Sequence, residues 1–106
     1  MKRILATITV AVTLVASSAS AFDPEDLKKL KETKECMVCD LSGAKLTGAN
    51  LTNANLTRAK LTGAIMNGAK LSGANLKGAN LDYAIMDGSI LCNTTMPDGN
   101  VIYSGC

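Results

Sequence analysis

The chain has 106 residues, room for one small domain, with 19% charged residues, one Phe, two Tyr, no Trp and no His. That composition excludes a His-based catalytic centre and is far from that of an ordinary globular core. Removing Lys2 and Arg3 from the eleven bases leaves nine against nine acids, so from Phe22 onward there is no electrostatic reason to expect nucleic acid or an anionic membrane as partner.

Residues 1–21 read as an export signal. Lys2 and Arg3 form a charged start, Ile4 to Ala16 is an apolar run, and Ala19 and Ala21 occupy the −3 and −1 places of an A-x-A cleavage site. The alternative is a retained anchor, since the uncharged stretch from Ile4 to Phe22 is just long enough to span a bilayer. The weakly apolar Ser17-Ser18-Ala19-Ser20-Ala21 favours cleavage. No Cys follows closely, which argues against a lipid anchor. The expected location is periplasmic or secreted, with no membrane association after cleavage.

Residues 22–38 are expected to form an N-terminal capping helix and linker. Asp23 can cap a helix that begins at Pro24, with Glu25 and Asp26 in the first turn, where the helix dipole favours anions. Leu27 and Leu30 share one face and can seal whatever follows; Lys28, Lys29, Lys31 and Lys34 are expected to face water.

From residue 39 to residue 93 the chain divides into eleven units of five without a slip: CDLSG AKLTG ANLTN ANLTR AKLTG AIMNG AKLSG ANLKG ANLDY AIMDG SILCN. The third place is always Leu or Met. The first is Cys39, then Ala from Ala44 to Ala84, then Ser89. A period of five lines up on neither a helix nor a strand. It does line up if the chain turns a corner in every unit, with the first and third places pointing inward. Gly or Asn fills the fifth place in nine of the eleven units, Arg58 and Tyr83 being the exceptions, and both residue types tolerate the positive φ of a tight turn.

These residues carry a resemblance. ANLTN, ANLTR, ANLKG and ANLDY follow the A-(D/N)-L-x-x unit of the pentapeptide-repeat family, which the chain resembles over 39–93. The resemblance implies an all-β fold, a right-handed quadrilateral β-helix of four units per coil. Eleven units then make just under three coils, roughly 13 Å tall at the strand spacing. Lys, Asn or Ile stands where many members carry Asp. Some cytosolic relatives mimic DNA to protect topoisomerases, but that needs a long acidic rod. Here the repeat is short and carries five bases and three acids between Asp40 and Leu91. The flanks KECMVCDLSGA and LCNTTMPDG also resemble those of exported bacterial members with unassigned function.

Both ends of such a stack need covers. Residues 94–106 are expected to supply the second one, leaving the repeat through a Pro97-Asp98-Gly99 turn so that Val101, Ile102 and Tyr103 lie across the last coil.

Four cysteines are the one constellation with chemical potential. A zinc site would need Cys36, Cys39, Cys92 and Cys106 together, yet the two pairs lie at opposite ends of the stack and no His completes either. A thiol-redox role for Cys36-x-x-Cys39 lacks a βαβ setting. Structural disulfides in an oxidising compartment suit the residues best. The expected pairs are Cys36–Cys39, inside the first coil, where Cys36 takes the third place of a degenerate preceding unit, KECMV, and Cys92–Cys106, where an outward place receives the returning chain end.

No catalytic, cofactor-binding or metal-binding residues are expected. Asp82 and Asp87 face outward on neighbouring sides, and the Ser and Thr of the fourth place are turn residues. The function expected is therefore non-enzymatic: a structural or protein-interaction module, with a thiol-active protein using Cys36 and Cys39 as the alternative. Ile65 and Ile85 lie twenty residues apart and stack as an apolar stripe above Lys45, with Ile90 on the next side. These three isoleucines are the candidate face for a protein partner or a second copy. The competing expectation is that the C-terminal segment folds over Ile85 and Ile90.

Overall fold

The structure is a computed structural model that describes residues 22–106; residues 1–21, read above as an export signal, lie outside the described residues. Asp23 caps helix α1 (Pro24–Thr33) by accepting the Glu25 N–H at 2.9 Å, and Lys34 ends it in the left-handed conformation. Leu30 is buried under the first coil, with Leu27 and Phe22 packed beside it. Lys28, Lys29 and Lys31 face water, whereas Lys34 is half-buried because its carbonyl accepts the Asn55 N–H.

Beyond α1 the backbone coils with a period of twenty residues. Parallel bridges join Glu35 to Asn55, Asp40 to Lys60, Lys45 to Ile65 and Asn50 to Lys70, and each pairing continues one coil further. One coil therefore takes four units, one unit per side. Each unit contributes a single bridged residue, its second, before the chain turns. This is the β-helix solenoid, and it explains why long strands are absent among the described residues. The only two-stranded ladder among the described residues is the C-terminal hairpin of β1 (Thr94–Thr95) and β2 (Val101–Ile102).

The repeat chemistry follows from this path. Every fifth place from Val38 to Asn93 has φ between 58° and 74°. Glycine takes that conformation freely, while Val38, Arg58 and Tyr83 hold it at a steric cost. At Gly73 the requirement is doubled, because a Cβ there would strike Asn53 Oδ1 in the coil below. The second place explains its preference for Asn and Asp. The side chains of Asp40, Asn50, Asn55, Asn75 and Asn80 each accept the N–H two residues on, at 2.9–3.2 Å, and so pin the corner. Lys and Ile at that place forgo the bond.

First and third places fill the interior. Leu41, Leu56, Leu61, Met66, Leu71 and Leu76 are all completely buried, and the Ala between them lie at the walls. Where Ser89 and Thr94 replace Ala, their hydroxyls donate at 2.6 Å to the carbonyls of Met66 and Leu71 in the coil beneath. Those two bonds tie the last coil to its neighbour.

The pairing extends one unit beyond the eleven at each end. Lys34 to Val38 takes full unit geometry, with Cys36 N–H donating to Asn55 O and Val38 N–H to Thr57 O. Thr94 to Asp98 joins the ladder at the far end, where Thr95 pairs with Asn75 and Pro97 O accepts from Gly78, although Asp98 lacks the positive φ of the other fifth places.

Candidate interaction surface

The second places of the repeat form four outward columns. One reads Lys45, Ile65, Ile85 and the next reads Asn50, Lys70, Ile90. The three isoleucines therefore meet at one corner of the upper coils. They are not equivalent. Ile85 is 44% exposed, while Ile65 and Ile90 are half-buried. The C-terminal segment accounts for Ile90. It runs back along the last coil, Leu91 N–H donating to Ser104 O at 3.2 Å, and brings Gly105 against Ile90. Ile85 stays uncovered, so the C-terminal segment reaches only one of the two residues it was expected to shield.

The ends are capped unevenly. At the front, Asp26 Oδ2 accepts the Asp40 N–H at 2.8 Å, Asp23 N–H donates to Asp40 O, and Thr33 Oγ1 accepts the Glu35 N–H. The N–H and C=O groups of Lys45 and Asn50, on the other two sides of that coil, point away from the coil above and have no backbone hydrogen-bond partner among the described residues. At the back, β2 serves Thr94 and Thr95, and Ser104 serves Leu91. Sequence reading located both lids but not which sides they leave bare.

Cys36 joins Cys39 with Cα atoms 5.2 Å apart, and Cys92 joins Cys106 at 4.9 Å. Cys36 is 0% and Cys39 3% exposed, inside the first coil, where an attacking thiolate has no approach. That placement argues against the thiol-active alternative. Among the described residues no group of His, Cys, Asp and Glu is placed to hold a metal ion, and no helix is long and apolar enough to cross a membrane. The interior is filled by side chains, and the surface hollows lie at the lids. One, of about 520 Å³, is bordered by Met96, Pro97, Asp98, Asn100 and Ile102; another, of about 340 Å³, lies between Phe22 and α1. Neither gathers converging polar groups of the kind a small-molecule site needs.

The repeat match settles the family. The pentapeptide repeats model matches residues 39–78 and 67–98 with eight copies, more than half of the chain. The protein belongs to the pentapeptide-repeat family, which has no known enzyme activity. Among solved structures, the chain is similar to Rfr23, a pentapeptide repeat protein from the cyanobacterium Cyanothece 51142. The two are 32% identical over 65% of this chain and 53% of that one, with a TM-score of 0.46. It is also similar to HetL of Nostoc sp. strain PCC 7120, a pentapeptide repeat protein involved in heterocyst differentiation regulation. That match is 35% identical over 64% of this chain and 36% of HetL, with a TM-score of 0.35. A third pentapeptide repeat protein, also from Nostoc PCC 7120, is 19% identical over 74% of this chain and 82% of its own, with a TM-score of 0.46. The chain thus spans about half of Rfr23 and about a third of HetL. No curated protein matches the chain.

Proposed function

We propose that this protein is an exported, non-enzymatic interaction module. Its pentapeptide repeats wind as a right-handed quadrilateral β-helix and present one corner to a protein partner or to a second copy. The observation that carries the reading is the column Lys45, Ile65, Ile85: isoleucine replaces the corner-pinning Asn or Asp at two successive levels, and Ile85 remains 44% exposed. Giving up a corner bond to expose an apolar side chain costs stability twice, and the stacking of Ile65 beneath Ile85 favours a binding surface over a singly exposed residue.

Replacing Ile65 and Ile85 together with Asn is expected to abolish association while preserving the repeat fold, since Asn suits the second place. Size-exclusion chromatography and capture from the native periplasm read the association; circular dichroism reads the fold. A double variant that keeps every partner of the wild type would reduce the stripe to part of the scaffold.

Export rests on the A-x-A site before Phe22 and on the oxidised cysteines an extracytoplasmic compartment permits. N-terminal sequencing of native protein is expected to begin at Phe22. A chain that starts at Met1 and leaves the membrane only in detergent would make the segment an anchor.

A further inference from the structure

The lids leave the outer edge of one stretch of the last full coil, residues 79–88, uncovered. The coil below shows what such a stretch does when it is paired. Leu61 and Met66 donate their N–H groups to the carbonyls of Asn80 and Ile85, and Gly63 and Gly68 donate to those of Asp82 and Asp87, at 2.7–2.9 Å. In return Ala59 and Ala64 accept from Asn80 and Ile85. One coil higher, the equivalent N–H groups of Leu81, Tyr83, Met86 and Gly88, and the carbonyls of Ala79 and Ala84, have no partner among the described residues. The edge is therefore rich in donors, with its outer face in ladder register.

Three further features meet on it. Leu81, Ala84 and Met86 are only half-buried, although Leu61, Ala64 and Met66 directly beneath them are completely buried. The corner of the stretch is Tyr83, 88% exposed at φ 61°, where the same corner is glycine in both coils below, Gly43 and Gly63. A bulky residue held in the left-handed region with its ring in water brings the isolated chain a cost and no contact. Lastly, Asp82 and Asp87 stand exposed along this edge, above Thr62 and Asn67, with no base at either place.

We infer that the uncapped edge from Ala79 to Gly88 takes a basic polypeptide segment that turns at the same corner and continues the ladders of both sides by backbone pairing. Its inward residues cover Leu81 and Met86, its basic residues meet Asp82 and Asp87, and Tyr83 packs against it at the corner. This rests on reading the protein as an interaction module and names the chemistry of the partner. A second copy fits less well. Face to face, it would set Asp82 and Asp87 against their own counterparts. Head to tail, its bare edge at Lys45 and Asn50 has complementary carbonyls. However, seating Lys45 above Asn80 in the twenty-residue register makes its residues 35–40 coincide with residues 90–95 of the first copy.

Amide hydrogen exchange followed by NMR on the disulfide-intact protein tests the inference. Without ligand, the amides of Leu81, Tyr83, Met86 and Gly88 are expected to exchange freely, while those of Leu61, Gly63, Met66 and Gly68 are protected. The probe is a synthetic ten-residue peptide of two corner-turning units, Val-Lys-Val-Lys-Gly repeated, with Val-Glu-Val-Glu-Gly repeated as its counterpart. The basic peptide is expected to slow the four edge amides at least about tenfold, since a ladder bond must then open before exchange. Asp82→Asn with Asp87→Asn is expected to weaken its binding by up to about tenfold, more at low salt than at high. Protection by neither peptide, or equally by both, overturns the inference, as does protection that grows with protein concentration alone. If Asp82→Asn/Asp87→Asn keeps the partners that Ile65→Asn/Ile85→Asn loses and the basic peptide protects nothing, the edge fails while the module stands.

Discussion

Replacing Leu61 with Ala is expected to cost about 2–5 kcal/mol, the range for emptying a fully buried leucine site. Leu61 is 0% exposed at the middle level of its side, with Leu41 below and Leu81 above. Its own backbone bond to Asn80 survives the change, so the loss is one of packing alone. The surrounding coils are tied by ladder bonds on every side and cannot close on the gap, which places the cost toward the upper end. A domain this small has stability near the bottom of the usual range of about 5–15 kcal/mol, so most of it would go. Urea unfolding is expected to show a much lower midpoint with an unchanged slope. Leu81→Ala is the control: the same residue in the same column, but half-buried beneath the open edge, and so less costly. Equal losses for the two would contradict a core built in stacked levels.

Replacing both Cys92 and Cys106 with Ser is expected to remove about 3 kcal/mol, because the bond closes a loop whose ends are 14 residues apart. In a domain of this size that corresponds to a fall in Tm of about 12–24 °C. The effect should be local before it is global. Only β2 and the Ser104 carbonyl cover Thr94, Thr95 and Leu91, so a freed chain end exposes two further sides of the last coil. Earlier exchange at the Leu91 and Met96 amides, before any change at Leu61, would show the lid leaving first. Simultaneous loss everywhere would mean that the C-terminal segment is part of the cooperative core.

The repeat was legible because its causes are local. Whether Leu61 points inward depends on its place within a unit, and whether residue 63 must turn left-handed depends on the corner beside it. The strict run of Ala and Leu therefore reports the coil without any knowledge of distant contacts. Asp23, Pro24 and the paired leucines announced the front lid for the same reason. Of the two degenerate units, KECMV was legible only through the place it gives Cys36, and TTMPD was not seen at all. Glu35 and Thr95 join the ladders although KECMV and TTMPD carry little of the repeat, since pairing to Asn55 and Asn75 depends on the backbone of the neighbouring coil and hardly on the side chains.

By itself, then, the sequence determined the five-residue period, the inward places, the left-handed corners and the presence of a cap at each end. Each is a property of one unit repeated. Tertiary structure alone decided which of Ile65, Ile85 and Ile90 stays in water, and which edge amides go unpaired. Those outcomes turn on where the two chain ends come to rest. Helix α1 reaches Asp40 but not Lys45, and the returning C-terminus reaches Leu91 but not Met86. A lid's reach is set by the length and direction of chain after the last corner, and the pattern within a pentapeptide carries no record of it.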